Sequence, residues 1–360
     1  MASTDSSNGS RWLGKAAAWI HDNFLWLLVM SYMLAAVAPG PGLAIRRLAF
    51  TRSTGDEISA PLLLLALLLF CAAVVVRWSQ VRDLLQRPGI LLLSLLAVWI
   101  VPSAFVCLTG WLLPAILGTP VSAGMMIGLA LVAAMPVANS SVAWTQNARG
   151  NVALGLGLIV LTIVLSPVAT PQMLNLMGLT LSEAETRQCE ILVTRFSGMF
   201  FIVWVILPSA VGLVCNRVVG PGRIQRARGS IRFVSAVALL TLNYANASLA
   251  MPKVIESESV QTILFFAMMA VSLSVLGIAS AWLMSRILLL GKGSSISLAF
   301  GFSMKHTGLA LVLAGEVLQD EPRAILMIVL ATLLQHIVAG IVDKWLARNG
   351  PENPEAGQRS

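Results

Sequence analysis

Long apolar runs separated by short polar stretches fill the chain from about residue 24 to residue 346. Ten runs can be counted, at about 24–44, 59–76, 89–113, 118–147, 150–172, 191–215, 231–251, 260–290, 294–318 and 323–346. A helix needs roughly 20 such residues to cross about 30 Å of hydrocarbon. In lipid a helix satisfies its own backbone polar groups, so the pattern predicts ten membrane-spanning helices. Two of the runs are interrupted in their middle. One carries Met135–Asn151, MPVANSSVAWTQNARGN, and the other Gly301–Gly315, GFSMKHTGLALVLAG. Each is the fourth run of its set of five, and five being odd, the second set enters the membrane from the opposite side. The predicted fold is therefore an all-α polytopic membrane protein with ten transmembrane helices in two inverted five-helix repeats and two crossing broken helices.

Composition agrees: 57% of the 360 residues are hydrophobic and 11% charged, too little polar surface for a soluble protein of this length. The start, MASTDSSNGSRWLGKAAAWIHDN, lacks a compact apolar core followed by a small-residue cleavage site, so no cleaved signal peptide is expected. The net charge of +8 would suit a nucleic-acid partner, but its distribution follows the membrane instead. With the N-terminus cytoplasmic, 16 of the 24 basic residues fall on the cytoplasmic side and seven opposite, leaving Lys305 within a span. This bias puts both termini in the cytoplasm, and a bacterial inner membrane is the expected location. Residues 1–23 read as a cytoplasmic segment, 24–216 as the first repeat plus span six, 217–230 as a basic cytoplasmic loop, 231–347 as the remaining spans and 348–360 as a disordered tail. The Arg-rich stretch from Arg217 to Arg232 reads as an anchor at anionic lipid headgroups. Cys71, Cys107, Cys189 and Cys215 fit no metal-binding spacing and read as packing residues.

The interruptions carry the candidate chemistry. Pro136 removes an N–H and clashes with the preceding turn, ending one half-helix. Asn139, Ser140 and Ser141 suit the N-cap of the next. Free N–H groups at such an end attract anions. His306, Thr307 and Gly308 would open the matching half-helix in the second set. Lys305 stands at that break, where an ammonium is costly unless paired. No acidic residue lies in the interior of a predicted span. The acceptors for Lys305 are then backbone carbonyls, Asn139, Ser141 or a substrate carboxylate; the plainer alternative is a side chain snorkelling to the interface. His336, after Gln335 in span ten, reads either as a packing hydrogen bond or as a substrate contact. Asn243, Tyr244, Asn246 and Ser248 in span seven read either as interhelical glue or as one wall of a polar cavity.

Four stretches together resemble the bile acid:sodium symporter family: PLLLLALLLFCAAVVVRWSQVRDLLQRPG, MPVANSSVAWTQNARGNVALG, MKHTGLALVLA and LLQHIVAG. The resemblance covers roughly residues 24–345. It implies a ten-helix fold with a panel domain (spans one, two, six and seven) and a core domain (spans three to five and eight to ten), the broken spans crossing in the core. It also implies organic-anion substrates and alternating access. The family's substrate-facing positions fall on Asn139, Ser140, His306 and His336. Of its sodium ligands, a span-four Ser matches Ser141, but the Asn that follows it is Val142 here. The polar positions of span five fall on Gly155 and Ile159, the span-nine Glu on Gly301 and its Gln on Lys305, and the span-three Gln near Ala97.

These readings converge on a secondary transporter of small organic anions, carboxylate or sulfonate. The substrate site would comprise Asn139, Ser140, Ser141, Lys305, His306, Thr307 and His336, with Ser141 and Lys305 the candidates at a cation site. Lys305 would supply the charge that a coupling cation supplies elsewhere, so sodium is not expected as a requirement, and no cofactor or metal is implied. A sodium-coupled symporter is the alternative, and a membrane sensor or channel a further one. No catalytic constellation points to an enzyme.

Overall fold

The computed structural model describes residues 23–51, 57–76, 88–117 and 123–348, with residues 16, 19 and 20 before them. Most of the N-terminal segment, the stretch holding Arg77, Arg82 and Arg87, and the polar tail after residue 348 lie outside the described residues. The elements in chain order are α1 (Phe24–Val37), α2 (Pro39–Arg47), a short antiparallel hairpin of β1 (Ala49–Thr51) and β2 (Glu57–Ser59), α3 (Ala60–Val74), α4 (Pro88–Leu117), α5 (Ala123–Ala134), α6 (Ser140–Asn147), α7 (Val152–Gly178) and α8 (Glu183–Ser197). There follow α9 (Met199–Val219), with a π-helical turn at Ile202–Ile206, α10 (Pro221–Ser257), α11 (Val260–Ile287), α12 (Lys292–Ser303), α13 (Thr307–Val317) and α14 (Pro322–Arg348).

The protein is an all-α polytopic membrane protein. Among the described residues, six helices are long and apolar enough to cross a bilayer: Gly89–Ile116, Val152–Gly178, Met199–Val219, Pro221–Val254, Val260–Ile287 and Pro322–Leu346. The pair α1 and α2, bent by 92°, makes a seventh if it is one span. Three of the ten predicted spans are absent from this set for a physical reason. At 1.5 Å per residue, the 15 residues of α3 reach only about 22 Å. The two interrupted runs are split into α5 with α6 and α12 with α13, each half too short to span alone.

Other boundaries moved as well. The predicted loop 217–230 is largely helical, because Pro221 opens α10 from the left-handed Gly220 (φ 87°). The 37 residues of α10 run about 55 Å, so its first basic turns extend past the hydrocarbon, with Arg223 and Arg226 exposed. Span six starts later than the hydropathy suggests. The amphipathic α8 is fixed by a capping box between Ser182 and Glu185 and packs along α7, and α9 begins only after Gly198.

Packing gathers α1, α2, α3 and α9 around α10, while α5, α11, α12 and α13 pack around α14. Small residues set the closest seams. A Cβ on Gly128 of α5 would stand 2.6 Å from the Ala324 carbonyl of α14, and one on Gly277 of α11 would stand 2.6 Å from the Phe302 carbonyl of α12. Such backbone approach replaces the hydrophobic drive that helices lack inside lipid. Gly277→Ala should therefore force α11 off α12 at a cost of about 1–3 kcal/mol. A lowered thermal midpoint of the purified protein is the expected result, and an unchanged midpoint would contradict this packing.

Candidate functional site

The two helix breaks meet. Val137, in the segment between α5 and α6, pairs with Lys305, between α12 and α13, as an isolated antiparallel bridge. The His306 N–H donates to the Pro136 carbonyl (2.9 Å), and the Ala138 N–H to the Met304 carbonyl (3.0 Å). Backbone groups that each broken helix leaves open are thus answered by the other break. Side chains complete the set. The Ala134 carbonyl, ending α5, accepts from Trp99 Nε1 (3.1 Å) and Thr170 Oγ1 (2.8 Å), and the Val137 N–H donates to Thr162 Oγ1 (3.2 Å). Gln335 holds Lys305 from both sides. Its Oε1 accepts from the Lys305 N–H (2.9 Å) and its Nε2 donates to the Lys305 carbonyl (3.3 Å).

The Lys305 side chain does not snorkel. It is 2% exposed, and its ammonium donates to the carbonyls of Val98 and Met135, the latter at 3.3 Å. Among the described residues it has no carboxylate partner. A buried ammonium without a counter-ion is tolerable only where strong dipoles face it. Met135 supplies one, just past the C-terminal, partly negative end of α5.

Of the other predicted site residues, Asn139, Ser140 and Ser141 lie at the start of α6, but Asn139 does not cap it as expected. Asn139 has helical dihedrals (φ −60°, ψ −30°), and its side chain makes no capping bond. Asn139 Oδ1 and Ser141 Oγ are buried without a hydrogen-bond partner. His306 caps α13 instead: its Nδ1 accepts from the Leu309 N–H at 3.2 Å. Thr307 Oγ1 accepts from Gln335 Nε2 at 3.4 Å. His336 Nδ1 lies 2.7 Å from the Thr332 carbonyl, which can only accept, so Nδ1 carries the hydrogen. Its Nε2 is buried and unpartnered, and its ring lies 5.3 Å from that of Phe24 on α1. The structure therefore gathers Lys305, His306, Thr307 and Gln335 around the paired backbones, and it leaves three buried polar atoms, on Asn139, Ser141 and His336, free to bind.

The span-seven residues act as glue. Asn243 accepts from Tyr32 (3.2 Å), the Tyr244 hydroxyl donates to the Ala38 carbonyl (2.6 Å), and Asn246 accepts from Arg46. Arg46 had no role in the sequence beyond topology. In the fold its guanidinium also donates to the Gly315 carbonyl in the last turn of α13 (2.6 Å), and Ser59 donates to the neighbouring Glu316 (3.0 Å). At the other end of the molecule, a cleft of about 230 Å³ opens among the ends of α3, α6 and α9 and the starts of α7 and α10. Val75, Gln146, Leu156, Asn216, Gln225 and Arg228 are among its lining residues.

A model of the SBF-like CPA transporter family matches residues 22–350. The chain belongs to this family of membrane transporters. It is also 26% identical over 288 residues to an uncharacterized protein, YbaS, of Bacillus subtilis (strain 168), covering 79% of this chain and 87% of that one.

At the positions matched to sodium ligands, Val142, Gly155, Ile159 and Gly301 carry no side-chain oxygen. A Cβ on Gly155 would touch a Val142 methyl at 3.3 Å, and one on Gly301 would touch Leu158 at 3.4 Å. Thr145 Oγ1, 3.7 Å from that Cβ position on Gly155, is the oxygen among these neighbours. The Val98 and Met135 carbonyls are engaged by the Lys305 ammonium.

Proposed function

We propose that this chain is a secondary transporter of small organic anions, carboxylates or sulfonates, whose fixed Lys305 charge stands in for a coupling cation. The observation that carries the reading is the buried Lys305 ammonium at the junction of two paired helix breaks. A positive charge there, beside the N-terminus of α6, favours an anion in the same pocket. In this reading the unpartnered Asn139 Oδ1, Ser141 hydroxyl and His336 Nε2 complete its shell. Asn139, Ser140, His306 and Thr307 line the same junction in this reading.

The proposal extends to architecture. The halves of each broken helix count as one span, giving ten spans in two inverted repeats with both termini cytoplasmic in a bacterial inner membrane. The α10-centred group is the panel and the α14-centred group the core, and their relative movement exposes the site to each side in turn. Support comes from the matched positions of the two breaks, the basic bias of the loops and the packing of the two groups. Arg223 and Arg226, exposed past the hydrocarbon on α10, meet anionic lipid headgroups in this arrangement.

Uptake of a panel of radiolabelled carboxylates and sulfonates into proteoliposomes, in sodium and in choline medium, tests the reading. Equal uptake in the two media is expected. A large stimulation by sodium would favour the sodium-coupled alternative, and a sodium-dependent cation current without anion uptake would favour a channel.

A further inference from the structure

Lys305 donates to a carbonyl that lies inside a continuous helix, where carbonyls are ordinarily taken. In α4 the Val98 carbonyl should accept from the N–H four residues on, and that residue is Pro102. Proline has no N–H, and its ring pushes against the carbonyl of the preceding turn. Val98 is fully buried, Pro102 is buried beside it, and no water-facing surface is available to answer the freed oxygen. The group that answers it is the Lys305 ammonium, from 207 positions along the chain. The second acceptor, the Met135 carbonyl, is open for a different reason: it lies past the end of α5. One proline in an otherwise unbroken helix thus creates half of the ammonium's shell.

We infer that Pro102 is a positioning residue for the Lys305 charge: by withholding an N–H from the Val98 carbonyl, it holds the ammonium at the junction of the two helix breaks. This rests on the transport reading above only for its functional consequence; the positioning itself can be tested without a substrate. Pro102→Ala supplies the missing N–H. The Val98 carbonyl then turns back along the helix axis, and the ammonium keeps only Met135.

The test is a thermal-stability cycle on the purified protein with Pro102→Ala, Lys305→Met and the double variant. Alanine inside a helix is intrinsically better than proline. With Lys305 present, Pro102→Ala should nevertheless lower the thermal midpoint, because it strands the ammonium. With Lys305→Met, the same substitution should raise the midpoint or leave it unchanged. A third variant carries lactic acid at position 102 through an ester bond, which removes both the ring and the N–H. It should behave like the wild type, which separates the missing donor from the kink. Acetylation of Lys305 by acetic anhydride, read by mass spectrometry, should accelerate about tenfold in Pro102→Ala, the size of one charge-assisted hydrogen bond. It should not accelerate in the lactate variant or in Pro114→Ala, which alters the same helix elsewhere. A Pro102→Ala effect of the same sign in both Lys305 backgrounds would overturn the inference. So would equal labelling of Lys305 in all variants. Loss of anion uptake in Lys305→Met alongside either result would sink the role of Pro102 while sparing the charge. Retained uptake in Lys305→Met with the expected cycle would sink the charge reading while sparing Pro102.

Discussion

Replacing Lys305 with methionine should abolish sodium-independent anion uptake while leaving a folded, less stable protein. Methionine keeps most of the volume, so the junction need not collapse. The substitution removes the basic side chain that, among the described residues, sits at the paired breaks, and it strands the carbonyls of Val98 and Met135. Two unpaired buried carbonyls cost roughly 1–3 kcal/mol each, enough to lower the thermal midpoint visibly. The functional loss should be larger. At an effective dielectric constant near 20, a unit charge roughly 6 Å from a bound carboxylate contributes about 3 kcal/mol, so affinity should fall about 100-fold. Uptake kinetics on Lys305→Met and Lys305→Gln measure this. Unaltered affinity in either variant would mean that the ammonium serves only to tie the helices together.

The second large effect is expected at Arg46. Its guanidinium joins α2 to Asn246 of α10 and to the Gly315 carbonyl at the end of α13, and the adjacent Ser59–Glu316 bond repeats the link. α13 is half of a broken helix, so this contact ties the α10-centred group to the site-bearing element at the end away from the cleft. A guanidinium facing the last carbonyls of a helix also favours the helix dipole. Hydrogen bonds to a charged group contribute about 1.5–3 kcal/mol each. Arg46→Ala should therefore loosen that end relative to the cleft end and shift the population of open states. A cysteine placed at Ser59 should react faster with a membrane-impermeant thiol reagent in the Arg46→Ala background. Labelling at the wild-type rate would show that the contact does not seal that end.

The sequence made the two breaks legible because each combines a long apolar run with residues that a lipid-buried helix does not tolerate without reason. Pro136 and Lys305 are the clearest of these, and the structure has non-helical backbone at both. Backbone carbonyls stood among the acceptors that the sequence allowed for Lys305, and they are the ones it uses. Which carbonyls could not be read, because hydropathy says nothing about which helix lies alongside. Pro102 stands inside the third apolar run, but its effect on Val98 acquires meaning only when Lys305 arrives from the other half of the chain. The contacts of Arg46 were hidden for the same reason. A basic residue at the end of an apolar run reads as a topology signal, whereas the 92° bend between α1 and α2 carries it back over α10 and α13. Gln335 showed no signal beyond its neighbour His336, and its clamp on the Lys305 backbone is a tertiary contact. Asn139 has the residue type of an N-cap, yet helical dihedrals turn its side chain away from that use.

Anion binding in the absence of sodium can be measured directly by thermal shift of the purified wild-type protein in choline buffer, against matched series of carboxylates, sulfonates and amines. At least one anion should raise the midpoint, and adding sodium should change that rise little. Stabilisation by amines alone, or by anions only once sodium is present, would contradict a site whose cation is the protein's own lysine.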